Sequence, residues 1–101
     1  MAYRNKNLLK IAQYAPCMMC GKKDGTVVAA HSNQIKDGKG TGIKANDYRI
    51  AYLCHFHHTQ IDEGSKFDKA GKMELWEEAH RKTMQFLIEK ELLIVSSRSR
   101  T

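Results

Sequence analysis

Apolar and polar positions alternate along the chain with changing period, and each period predicts an element. Leu8, Leu9, Ile11 and Ala12 cluster behind Asn5, which predicts a short helix over about 6–14 with Asn5 as its N-cap. Pro16 ends it, because a residue before proline is pushed out of the helical region. Asp24-Gly25 is a turn signal, and Thr26-Val27-Val28-Ala29-Ala30-His31, β-branched at its start, reads as a strand. Tyr48-Arg49-Ile50-Ala51-Tyr52-Leu53 alternates and predicts a second strand running into Cys54. Between the strands, Gly38, Gly40 and Gly42 are interleaved with Lys36, Lys39 and Lys44, the composition of a mobile basic loop. A short helix fits His57 to Asp62, halted at Gly64. Ser65 or Asp68 can cap a last helix over about 70–93, where Met73, Trp76, Ala79, Thr83 and Leu87 fall near one face. The tail, 96–101, reads as frayed and basic. There is no internal repeat and no coiled-coil register.

At 101 residues the chain, 1–101, is expected to form a single α+β domain with a core at 17–64 and flanking helices at about 6–14 and 70–93. Its hydrophobic fraction of 42% permits only a thin core, a shortage that a structural metal relieves in many small domains. Seventeen Lys and Arg against eleven Asp and Glu give a formal charge of +6. That balance suits a polyanionic partner, and nucleic acid is the first expectation. A soluble protein that is merely basic fits the charge equally well. No apolar run approaches membrane-spanning length and the N-terminus is not a signal region, so an intracellular, cytoplasmic protein with no membrane partner is expected.

Three cysteines change the picture more than the charge does. Cys17 and Cys20 form a Cys-x-x-Cys pair, and Cys54 recurs in Leu53-Cys54-His55-Phe56-His57-His58. Cys17, Cys20, Cys54 and His57 make two half-sites of a tetrahedral zinc centre, each with two residues between its ligands. The odd cysteine count argues against a closed disulfide framework. A redox role for Cys17 and Cys20 is the alternative, but no thioredoxin-like βαβ pattern surrounds them. His57 and His58 are adjacent and diverge by about 100° on a helix, so they are expected to serve different ions.

Zinc knuckle, two strands and a returning helix make a treble-clef, or ββα-metal, arrangement. The pattern Cys-x-x-Cys, Ala30-His31, Gly40-Thr41-Gly42-Ile43-Lys44, Asp47, Leu53-Cys54, His58 and Ile61-Asp62 resembles the HNH (His-Me finger) endonucleases. Within them it is most similar to a phage and prophage group, the YbcO-like nucleases. The likeness covers residues 17 to 62. It implies a metal-dependent endonuclease in a bacterial host cell, cutting DNA with a divalent cation such as Mg²⁺ or Mn²⁺ beside a structural Zn²⁺. His31 would be the general base, His58 a metal ligand, Asp47 the residue that orients His31 or binds metal, and Asp62, one turn beyond His58, a second ligand. Lys36, Lys39 and Lys44 would contact DNA phosphates. Three positions depart from the family: Ala30 stands where an acidic residue often precedes the first histidine, Asp47 where Asn is common, and His57 where a fourth Cys is common.

Blander roles stand beside these. The lysines can belong to a solvated loop, Asp62 can be structural, His55 and His80 read as surface histidines, and Trp76 reads as core rather than as a base-stacking platform. A non-catalytic zinc-dependent nucleic-acid-binding module would share the charge and the zinc centre but would not need His31, Asp47 and His58. A protein-interaction zinc domain is a third reading, which the net charge disfavours. The long helix could also pair with its copy in a homodimer.

Overall fold

A computed structural model describes residues 2–96. The domain is α+β, with three α-helices, two 3₁₀ turns and one two-stranded antiparallel sheet among the described residues. Helix α1 (Lys6–Lys10) opens under Asn5, whose side-chain oxygen accepts the backbone N–H groups of Asn7 and Leu8 at 3.0 and 3.2 Å. Two of the donors that a helix start leaves unpaired are thereby satisfied. The helix tightens into a 3₁₀ turn over Ile11–Tyr14, and Ala15 is extended ahead of Pro16. The segment expected to be one helix is thus two tighter pieces.

Strand β1 (Val28–His31) pairs with β2 (Ile50–Leu53), in register Val28 with Leu53 and His31 with Ile50. The cysteine knuckle stands at the Val28–Leu53 end, since the Met18 N–H donates to the Tyr52 carbonyl at 2.9 Å. His31 stands at the opposite end. Helix α2 (His55–Asp62) begins directly after β2, with Cys54 as its N-cap. It starts two residues earlier than expected and does stop before Gly64. A Cβ on Gly64 would lie 2.5 Å from the Gln60 carbonyl oxygen, so only glycine fits this close return of the chain.

Helix α3 (Lys69–Glu89) is capped by Asp68, which accepts the Gly71 N–H at 2.7 Å. Trp76, Ala79, Thr83 and Leu87 are buried against the sheet as the periodicity requires. Met73, expected on the same face, is 39% exposed because it lies beyond the edge of the core. The helix ends at Glu89 rather than near 93. Glu91 takes a left-handed φ of 58°, and the N–H groups of Leu92 and Leu93 both return to the Leu87 carbonyl, at 2.8 and 3.0 Å. This reversal folds Leu93 back against the core, where a continuing helix would have carried it away. Of the tail expected to fray, 97–101 lies outside the described residues.

A two-stranded sheet leaves open edges, and α3 closes one of them. The Tyr52 N–H donates to the Thr83 hydroxyl at 3.0 Å, and that hydroxyl donates to the Ala79 carbonyl at 2.8 Å. His80 donates from Nδ1 to the Ile50 carbonyl at 2.7 Å and stacks on Trp76, ring centroids 5.3 Å apart. His80 is therefore a partly buried structural residue, not the surface histidine the sequence suggested. Trp76 is core, and its indole N–H donates to the Ala30 carbonyl at 3.0 Å. No described helix is long and apolar enough to cross a membrane.

Candidate metal centre and adjoining cleft

The three cysteines form no disulfide, and their sulfurs converge with His57 on one point. All four donor atoms lie within 4.8 Å of one another. His57 Nδ1 is 3.7 Å from the Cys17 sulfur and 3.4 Å from that of Cys54, and the Cys20 and Cys54 sulfurs are 4.0 Å apart. Zinc bonds of about 2.3 Å to sulfur and about 2.0 Å to nitrogen place tetrahedral donors about 3.5–3.8 Å apart. The donor set and its spacing fit a tetrahedral ion such as zinc. Among the described residues this is the only cluster of three or more potential ligands drawn so close together.

The electrostatics point the same way. Burial pushes the Cys17 thiol up, but backbone N–H groups of Cys54, Cys20 and Met19 aimed at its sulfur outweigh that and bring it down to about 6. Burial pushes Cys54 up, and the neighbouring Cys17 and Cys20 sulfurs add to the rise although the His57 backbone N–H opposes it. Sulfurs this crowded oppose each other's ionisation until a cation sits between them. Four protein ligands would leave such an ion no open position, which marks a structural centre.

His58, next to a ligand, faces elsewhere. Its Nε2 lies 3.0 Å from Asp62 Oδ2, one turn along α2. Across from this pair stands His31, at the end of β1. A cleft of about 230 Å³ is lined by His31, Ser32, Asn33, Lys39, Lys44, His58 and Asp62. Five of the expected site residues therefore share one space. Lys36 does not join them: it is exposed on a 3₁₀ turn, Ile35–Asp37, outside the cleft lining.

Asp47 lies behind the cleft rather than in it. Its side chain is nearly fully buried, and His31 Nε2 meets its Oδ1 at 2.7 Å. The same oxygen receives Arg4 at 3.3 Å, and Oδ2 receives the Asn5 backbone N–H at 2.6 Å. Burial pushes the Asp47 carboxyl up, but the hydrogen bonds from His31 and Asn5 and the nearby charges of His31 and Arg4 hold it below the usual carboxylate value. With both oxygens engaged, Asp47 is placed to orient His31, and the ring's Nδ1 is the nitrogen left for other work.

The N-terminal segment that holds Asp47 gave no signal in the sequence, because its partners lie some forty residues away. Arg4 also donates to the carbonyls of Ala45 and Lys44, at 2.6 and 2.9 Å, and the Tyr3 carbonyl accepts the Asp47 N–H at 3.0 Å. The glycine-bearing loop is likewise more tied down than its composition suggests. Buried Asp37 accepts the Ser32 hydroxyl at 2.5 Å and pairs with Arg49 at 2.9 Å, and Arg49 also pairs with Glu77 of α3. Gly38 has a φ of 95°, and a Cβ there would lie 2.8 Å from the Asn46 amide, so this turn also requires glycine.

Compared with protein-family models, with curated proteins and with solved structures, the chain matches none.

Proposed function

We propose that the chain is a metal-dependent DNA endonuclease of the phage HNH type, built on a zinc-stapled treble clef. The observation that carries this reading is a histidine held by a buried carboxylate, facing a second histidine–carboxylate pair across a lysine-lined cleft. Zinc storage or simple binding does not require such an arrangement.

In this mechanism Asp47 keeps the His31 proton on Nε2, so that Nδ1 takes a proton from the attacking water. The hydroxide forms its bond to phosphorus as the bond to the leaving oxygen breaks. Lys39 and Lys44 hold the flanking phosphates and keep the scissile group facing His31. His58 and Asp62 are the residues that would hold a divalent cation such as Mg²⁺ or Mn²⁺. That cation would supply charge stabilisation at the phosphate and leaving oxygen. The departure at Ala30 has a consequence here: no carboxylate directly precedes His31 in the sequence, which leaves Asp62 as the acidic group beside His58.

The test is nicking of supercoiled plasmid by the zinc-loaded protein with Mg²⁺ or Mn²⁺. Cleavage that disappears in His31→Ala, with the variant still cooperatively folded and its zinc content unchanged, is the expected result. Salt-sensitive DNA binding without cleavage of any DNA form would instead favour the non-catalytic binding module. That alternative draws support from the cleft itself, where His58 and Asp62 are a two-donor pair and not a full ligand cluster.

A further inference from the structure

The cleft does not end at Asp62. Asp62 and Asn33 also line a second cavity, of about 290 Å³, between α2 and the first turns of α3. Ile61, Met73 and Trp76 contribute its apolar lining, and Gln34, Lys69 and Lys72 line it as well. The two cavities adjoin at Asn33 and Asp62, which line both. Of the acidic neighbours, Glu77 is engaged by Arg49 and Gln34, and Asp62 by His58. Trp76 offers no free face for stacking, since Arg49 lies 4.9 Å from its centroid and His80 is stacked on it. Met73, which is 39% exposed, is then the apolar surface on which a flat group could rest, with buried Ile61 also in the lining. Asn33 and Gln34 spend their NH₂ groups on Asp62 and Glu77, which leaves their carbonyl oxygens to accept from a ligand.

We infer that this second cavity holds the nucleotide adjoining the scissile phosphate, with its base unpaired and turned out of the stack. The inference rests on the endonuclease reading for its direction, but its chemistry is separate: an apolar seat for a base, amide oxygens for its amino edge, and two lysines for its phosphate. A fully paired duplex cannot fill the cavity without extruding a base. A strand with an unpaired nucleotide at that place already meets the requirement.

The experiment compares a paired duplex with the same duplex carrying one bulged 2-aminopurine at its centre, using the full zinc-loaded chain. The parent protein should bind the bulged DNA about tenfold more tightly, the scale of burying about 55 Å² of apolar surface. It should also brighten the fluorophore as the base leaves the stack. Met73→Glu, at a half-exposed position, should bring the affinity ratio towards one at an unchanged melting midpoint and zinc content. Lys69→Gln with Lys72→Gln should lower the salt dependence of bulged-DNA binding by about two phosphate contacts. Equal affinity for the two DNAs, or a preference that survives Met73→Glu, would overturn the inference. Met73-dependent preference without cleavage by any preparation would sink the endonuclease reading and leave the nucleotide site standing.

Discussion

Replacing Asp47 by Asn removes one charge and exchanges one acceptor for a donor, at a site that is 1% exposed. The carboxylate has two short partners, the Asn5 backbone N–H at 2.6 Å and His31 Nε2 at 2.7 Å. Asn has a single acceptor oxygen. The Asn5 N–H is fixed by the backbone and can only donate, so the amide oxygen must stay with it. The amide NH₂ then faces His31, and the conflict of two donors is relieved only if the imidazole proton moves from Nε2 to Nδ1. One hydrogen bond loses its charge assistance and the other reverses. With charge-assisted bonds contributing about 1.5–3 kcal/mol and neutral ones about 1, the net loss should be about 2–3 kcal/mol. The Arg4 contact is left out, because its side chain is 44% exposed and solvent screens it. Urea melts of the zinc-loaded proteins at pH 7 measure the loss, and histidine ¹⁵N shifts report the tautomer. The carboxyl is held below its usual value when folded, so its contribution is complete above the unfolded value and fades as pH falls through the folded one. The two melting midpoints should therefore converge below about pH 4. A variant that matched the parent within about 0.5 kcal/mol at pH 7, or kept its His31 proton on Nε2, would refute Asp47 as the residue that sets the tautomer.

The other expectations concern the metal and the closed sheet edge. Cys54→Ser should lower bound zinc from one equivalent towards none by metal analysis and leave the chain melting well below the parent; unchanged zinc would remove Cys54 from the centre. Chelation of the parent should unfold it in the same way. Thr83→Val should cost about 1–3 kcal/mol in a denaturant melt, because it leaves the buried Tyr52 N–H without an acceptor. His80→Phe keeps the ring beside Trp76 but loses the donor to Ile50, so it should cost about 1 kcal/mol and leave DNA cleavage intact.

What the sequence revealed, and what it hid, follows from the range of the interactions. The cysteine–histidine cluster was legible because each half-site is local: two residues separate Cys17 from Cys20 and Cys54 from His57, and a single turn fixes the spacing. The divergence of His57 from His58 was legible for the same reason, since helix geometry alone sends one ring to the sulfurs and the other to Asp62. Local periodicity likewise found all four buried positions on α3 and added Met73, which is exposed. It overran the end of that helix because Leu93 is drawn back by the core and not by its neighbours in sequence. His80 was misplaced on the surface because its partner, the Ile50 carbonyl, exists only once the sheet edge is built.

Arg4 and the backbone of Asn5 were hidden most completely. Asn5 was visible only as a helix cap, yet that cap fixes a second group: with its side-chain oxygen turned to Asn7 and Leu8, its own N–H is left for Asp47. The helix start thus does two jobs. It begins α1, and it holds the carboxylate that holds His31. A metal ion at the cysteines would pin the far end of the strand pair through Cys54, while this N-terminal clasp pins the near end through Asp47. The proposed chemistry lies between these two anchors, and only one of them would need a metal. On that reasoning Asn5→Gly, which keeps the backbone N–H but loosens the cap, should leave zinc content unchanged and still weaken the His31–Asp47 pairing. Unaltered His31 ¹⁵N shifts in that variant would show that the cap and the dyad are independent.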